Sequence, residues 1–173
     1  MSETAAPPTR SVSVTVNGTV HDGVTCEDRE LLVTFLRDRI GLKGTHAGCL
    51  NGDCGACTAR VDGRVVKTCL MLAASADGAE ITTIEGLGAP GRLSNLQEAF
   101  WDHDGFQCGF CLPGQLFAAE DLLESNPDPS DDEIRAALAG NYCRCTGYVK
   151  MIEAIRAAAD SRSDGPGSPG VTG

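Results

Sequence analysis

The sequence predicts an α+β chain, with a small sheet domain first and an all-α domain of four short helices after it. Three observations carry that reading. In the first half, apolar residues alternate with polar ones, and Asn17-Gly18 and Asp62-Gly63 are the dipeptides of tight hairpins. In the second half, two Ser-x-x-Gln/Glu pairs mark helix starts. Between the halves, Glu85–Leu93 packs three glycines and a proline into nine residues. The expected organisation is a disordered lead at 1–9, a first domain at 10–87, a second at 88–161 and a flexible tail at 162–173.

Val12, Val14 and Val16 alternate with polar residues, the pattern of a half-buried strand. Asn17-Gly18 turns the chain, and the return strand starts at Val20. Leu31, Leu32, Phe35, Leu36 and Ile40 have helical spacing and predict an amphipathic helix over 29–40. A glycine-dense loop follows from Gly41 to Gly55. Thr58–Val61, the Asp62-Gly63 turn and Arg64–Cys69 predict a second hairpin, and Ile81–Ile84 a last short strand. Strands around one helix with a long cysteine loop fit a β-grasp, ferredoxin-like domain.

Past the linker, Ser94 with Gln97 caps a helix over 94–103. Pro113 suits the first turn of a helix over 114–124, which Asn126-Pro127-Asp128-Pro129 ends. Ser130 with Glu133 caps a third helix over 131–139, closed by Gly140. Tyr148–Ala159 is the fourth.

A net charge of −10 with no Lys/Arg-rich run excludes nucleic acid as a partner. The opening MSETAAPPTR lacks a signal-peptide pattern, and no apolar run approaches the ~18 residues of a membrane span. The expected location is therefore cytoplasmic. There, nine cysteines point to metal rather than disulfides. No P-loop, dinucleotide fingerprint or nucleophile elbow is present.

Eight of the nine cysteines form two compact sets. Cys49, Cys54, Cys57 and Cys69 are spaced C-x4-C-x2-C-x11-C; Cys108, Cys111, Cys143 and Cys145 are spaced C-x2-C-x31-C-x-C. Four thiolates hold one iron–sulfur cluster, and the first spacing opens as plant-type [2Fe–2S] ferredoxins do. Such a cluster is anionic and needs backbone N–H donors near its sulfurs, which Gly48, Gly52 and Gly55 help to supply. In the second set, two helix starts converge on one site, and their partial positive charge is expected to favour thiolates. The C-x-C pair needs a backbone turn, for which Gly147 is available. Arg144 offers counter-charge or a partner contact. Cys26 is left over and reads as a small buried residue. His46 reads as a surface histidine, and Asp102, Asp104 and the acidic 128–133 stretch as solvated charge.

The segments Gly48–Thr58, Gln107–Gly114 and Gly140–Tyr148 closely resemble the iron–sulfur subunit of the molybdenum hydroxylases, the xanthine oxidase / aerobic carbon monoxide dehydrogenase family. All eight ligands are in register over residues 10–160. Leu112 and Tyr142 depart from the commoner residues without removing a ligand. The resemblance implies one [2Fe–2S] cluster per domain, a large partner subunit with molybdopterin, a medium partner with FAD, and a dimer of such heterotrimers. It implies that the Cys108 set lies nearer molybdenum, with Gln107 and Cys145 approaching the pterin, and the Cys49 set nearer FAD. Electrons from substrate would pass singly along that line, so the chain holds no catalytic residue and no substrate site of its own. Two alternatives stand beside this: a zinc-binding interaction module, and a freestanding two-cluster ferredoxin.

Overall fold

The computed structural model describes residues 6–89 and 91–163. Five strands form one mixed sheet: β1 (Thr9–Val16), β2 (Thr19–Glu27), β3 (Thr58–Val61), β4 (Arg64–Lys67) and β5 (Glu80–Thr82), in the order β2-β1-β5-β3-β4. Only β1 and β5 run parallel. Both predicted hairpins are present. Asn17 and Gly18 (φ 51° and 77°) and Asp62 and Gly63 (φ 47° and 76°) are left-handed at both central positions, as a type I′ turn requires. Val12, Val14 and Val16 all face the core, with a register shift between Val12 and Val14. The bulge at Ser13 is fastened by its hydroxyl, which donates to Asp22 at 2.6 Å and accepts from the Gly23 N–H.

The strand edges differ from the sequence expectation in instructive ways. Thr9, placed in the lead, is the first residue of β1, because β2 runs far enough to pair with it at Glu27. The return strand starts one residue before Val20. β4 stops at Lys67, and Cys69 sits in a 3-10 turn over Thr68–Leu70. Ile84 leaves the strand for another such turn over Ile84–Gly86.

The helix predicted over 29–40 is shorter and of mixed type. Leu31 is extended and bridges to Leu72, and the Leu32 N–H donates to the Met71 carbonyl at 2.8 Å. That sheet-like pairing delays the helix to α1 (Leu32–Thr34), which widens at once into a π turn over Phe35–Arg39. The Ile40 N–H closes it onto the Phe35 carbonyl. Leu32, Val33, Phe35 and Leu36 are fully buried while Asp38 and Arg39 are exposed, so the element keeps the two-faced character that its spacing predicts.

The second half is helical, with α2 (Asn95–Asp102), α3 (Leu112–Ser125), α4 (Asp131–Leu138) and α5 (Val149–Ser163). Both predicted capping boxes form, at Ser94/Gln97 and Ser130/Glu133. Pro113 sits in the first turn of α3, where its missing N–H costs nothing. Gly140 does not close α4 through a left-handed cap. Ala139 stays helical, and its N–H bonds Ala136 in a tighter last turn. Tyr148 is outside α5, with φ 68°. Leu96, Phe100, Leu116, Ile134, Leu138, Met151 and Ile155 make the core of this half. Arg162 and Ser163, assigned to the tail, belong to α5; the rest of that tail and lead positions 1–5 lie outside the described residues.

The halves meet along α3, which packs on β3 and β4. Arg60 of β3 grips Glu124 of α3 through both terminal guanidinium nitrogens, at 2.8 and 3.0 Å.

Candidate metal centres

Each predicted set of four forms two neighbouring pairs. In the loop between α1 and β3, Leu50, Gly52 and Gly55 are left-handed (φ 59°, 91° and 73°) and coil the backbone around its own sulfurs. The Cys49 thiol accepts from the Cys54 N–H at 3.3 Å. That donor and the Asn51 N–H lower its pKa to about 6. Cys57 and Cys69 are buried and share a hydrogen bond; burial first, then this sharing, pushes Cys69 up to about 11. Thr68 holds the pair together, because its N–H and its hydroxyl both donate to the Cys57 carbonyl.

In the second set, Cys108 and Cys145 bring their sulfurs to 3.5 Å, near the surface. Cys111 caps the start of α3 and pairs with Cys143 in the interior. The expected helix-end stabilisation does not decide the Cys111 thiol, for burial pushes it up to about 12. Cys143 shifts the other way. Burial opposes its ionisation, but the Thr146 hydroxyl at 3.3 Å and the N–H groups of Thr146 and Cys145 outweigh it.

The turn that the C-x-C pair needs uses Gly147, as expected, together with Tyr148, Gln115 and Asn141, which had no role in the sequence reading. Gly147 and Tyr148 are both left-handed. This folds the Tyr148 ring back so that its hydroxyl accepts from the Cys143 N–H at 2.7 Å and donates to the Asn141 carbonyl at 3.2 Å. Buried Gln115 donates to that same carbonyl at 2.7 Å. Arg144 is exposed and donates to the Tyr142 hydroxyl. Gln107 is exposed beside Cys108.

The two sets face one cavity of about 440 Å³, lined by Cys49 and Cys54 from one side and Cys108, Cys111, Cys143 and Cys145 from the other. One hydrogen bond across it runs from the Tyr142 N–H to the Cys54 carbonyl at 2.9 Å. His46 is a second crossing that sequence reasoning missed. Its Nδ1–H donates to the Phe110 carbonyl at 2.8 Å, and its ring stacks on Phe110 at 4.8 Å. Nothing in the spacing signals it, since the partners are far apart in sequence. Gly55 completes the joint. A Cβ there would lie 2.2 Å from Asn141 Oδ1 and 2.5 Å from the Gly140 carbonyl.

This arrangement fits a two-iron group better than a single ion. Among the described residues, no three His, Cys, Asp or Glu side chains converge as ligands of one metal ion. Paired thiols suit two irons with two thiolates each, whereas a four-cysteine zinc site draws all four sulfurs to one point. All nine cysteines are free thiols, and the ninth, Cys26, is buried in the sheet core away from both sets.

The comparisons with known proteins agree with this geometry. Residues 14–82 match the "2Fe-2S iron-sulfur cluster binding domain" and residues 83–156 the "[2Fe-2S] binding domain". The chain is 43% identical over 150 residues to the nicotinate dehydrogenase small FeS subunit of Eubacterium barkeri, covering 87% of this chain and 95% of that one. It is 48% identical over 153 residues to the nicotine 6-hydroxylase small subunit of Paenarthrobacter nicotinovorans, covering 88% and 92%. Among solved structures, a chain of quinoline 2-oxidoreductase from Pseudomonas putida 86 superposes with a TM-score of 0.85 at 43% identity, covering 91% of this chain and 98% of that one. With both binding domains matched and relatives aligned over nearly their whole length, the chain belongs to the small iron–sulfur subunits of the molybdenum hydroxylase family, components of multi-subunit oxidoreductases.

Proposed function

We propose that this chain is the electron relay of a cytoplasmic molybdenum hydroxylase. Cys49, Cys54, Cys57 and Cys69 hold one [2Fe–2S] cluster, in a domain over 10–87. Cys108, Cys111, Cys143 and Cys145 hold the other, in a domain over 88–161. When bound, these groups supply two one-electron stations between molybdopterin on a large subunit and FAD on a medium subunit, in a dimer of heterotrimers. The protein's own part is to fix the stations in series and to present each to a different partner.

The observation that carries this is the shared cavity with its direct bridge, the Tyr142 N–H on the Cys54 carbonyl. The bridge runs from a residue adjacent to Cys143 straight into a residue of the first set. Cys108, Cys145 and Gln107 are exposed, as are Phe110, Tyr142 and Trp101 of the same half. Exposed apolar groups of this kind suit a large subunit interface, at which Gln107 and Cys145 would approach a pterin.

The test is Gln107→Ala in the purified complex. Both clusters should keep their EPR spectra, while substrate-dependent cluster reduction slows about tenfold or more. A wild-type chain that purifies without a large subunit, together with an unaffected Gln107→Ala variant, would overturn the relay in favour of a freestanding ferredoxin.

A further inference from the structure

We propose that the Lys67 ammonium is the built-in counter-charge of the first cysteine set, and that it raises the reduction potential of a [2Fe–2S] group held there. The proposal rests on the cluster reading above. Lys67 closes β4 and stands opposite Thr58 in the hairpin register. Thr58 follows Cys57, and Cys69 lies two residues beyond Lys67. The lysine therefore lies two residues before one of the set's cysteines and across the hairpin from the residue that follows another. Its Nζ donates to the Gly52 carbonyl at 2.6 Å. Lys67 thus grips the cysteine loop between Cys49 and Cys54.

Charge balance sets this side chain apart. The chain has three lysines. Lys43 pairs with Asp38 at 2.8 Å and Lys150 with Glu153 at 2.7 Å, all four side chains well exposed. Lys67 is half-buried, and among the described residues it forms no ion pair, although Asp121 lines the same groove. In a chain of net charge −10, carboxylates are plentiful. An ammonium drawn partly out of water without one is costly unless another anion meets it. A group ligated by four thiolates is that anion. Reduction adds one more negative charge, so a fixed cation beside the site favours the reduced form over the oxidised form.

A purely structural role competes with this. Lys67 Nζ also lies near Gly140, within 3.6 Å of where a Cβ would stand, just past the carbonyl end of α4. That role predicts a change of stability but no change of potential.

The experiment is an EPR-monitored reductive titration of the holo complex with wild type, Lys67→Met and Lys67→Arg. The first set's signal is identified as the one that Cys69→Ser perturbs. In Lys67→Met its reduction equilibrium constant should fall about tenfold, which is ~59 mV for one electron. Lys67→Arg should restore it, and the other signal should stay in place. If both signals are present and Lys67→Met moves neither, moves both equally, or is not rescued by arginine, the proposal is wrong and the cluster reading stands. If the wild type lacks two signals, both fall.

Discussion

The two cysteine sets solve one problem by opposite means. The first is local. Three of its four thiols lie within a nine-residue loop, and the fourth returns on a four-residue hairpin strand and one turn. Its shape is set by left-handed backbone at Leu50, Gly52 and Gly55. The second set is assembled from two segments separated by 31 residues, which α3 and α4 carry apart and together again. Its shape is set by packing: Cys111 on the end of α3, Gln115 on the Asn141 carbonyl, and the Tyr148 hydroxyl on Cys143. A site written in a loop survives damage to distant packing. A site written in a helix bundle does not.

The sharpest way to break this contrast is at the joint that both sets share. Gly55→Ala puts a methyl 2.2 Å from Asn141 Oδ1 on a backbone with φ 73°. Left-handed strain and overpacking together cost about 3 kcal/mol or more. Gly114 across the joint has no room to yield, since a Cβ there would lie 2.2 Å from the Gly55 carbonyl. Both EPR signals should weaken together, with a lower melting temperature. If only the first set responds, the two halves are less tightly joined than this contact implies.

Ile155→Ala should separate the sets. Ile155 is fully buried in the helical core. Removing it costs about 2–5 kcal/mol, borne by the bundle. The second set's signal and its share of iron should fall while the first set's remain. Equal loss of both would remove the distinction between a local and an assembled site.

Tyr148→Phe is a finer probe. It keeps the ring and removes the hydroxyl that bonds the Cys143 N–H and the Asn141 carbonyl. Losing these bonds costs about 1–3 kcal/mol. The g-values of the second signal should shift with the first unchanged. An unshifted spectrum would mean that the packing of α5, not the hydroxyl, orients the C-x-C turn.

The same contrast explains what the sequence discloses. The grouping of the cysteines is legible in both sets, because spacing alone sorts them. So are the two hairpins and both capping boxes, each encoded within four residues. The helix over 29–40 came out short because Leu31 pairs with Leu72, a contact no local pattern announces. The spacing puts Tyr148 inside a helix because its value lies in reaching back to Cys143 from a left-handed backbone, which its neighbours do not signal. His46 reads as a surface residue for the same reason. Its partner, Phe110, belongs to the other set's loop.

Cys26 supplies the smallest expected effect and bounds the ligand assignment. It is 1% exposed, on the inner face of β2, among Val12, Val14, Leu36 and Ile81 in the sheet core. Burial raises its thiol pKa, and the neighbouring Glu30 carboxylate adds to the rise. It behaves as a small apolar filler, not as a thiolate donor. Cys26→Ala removes one buried atom from a packed core and should cost about 1 kcal/mol. It should keep roughly four irons per chain, two for each set of four thiolates, and both EPR signals. Loss of half the iron in this variant would show that a ninth thiol takes part in a site, and that one of the eight assigned ligands does not.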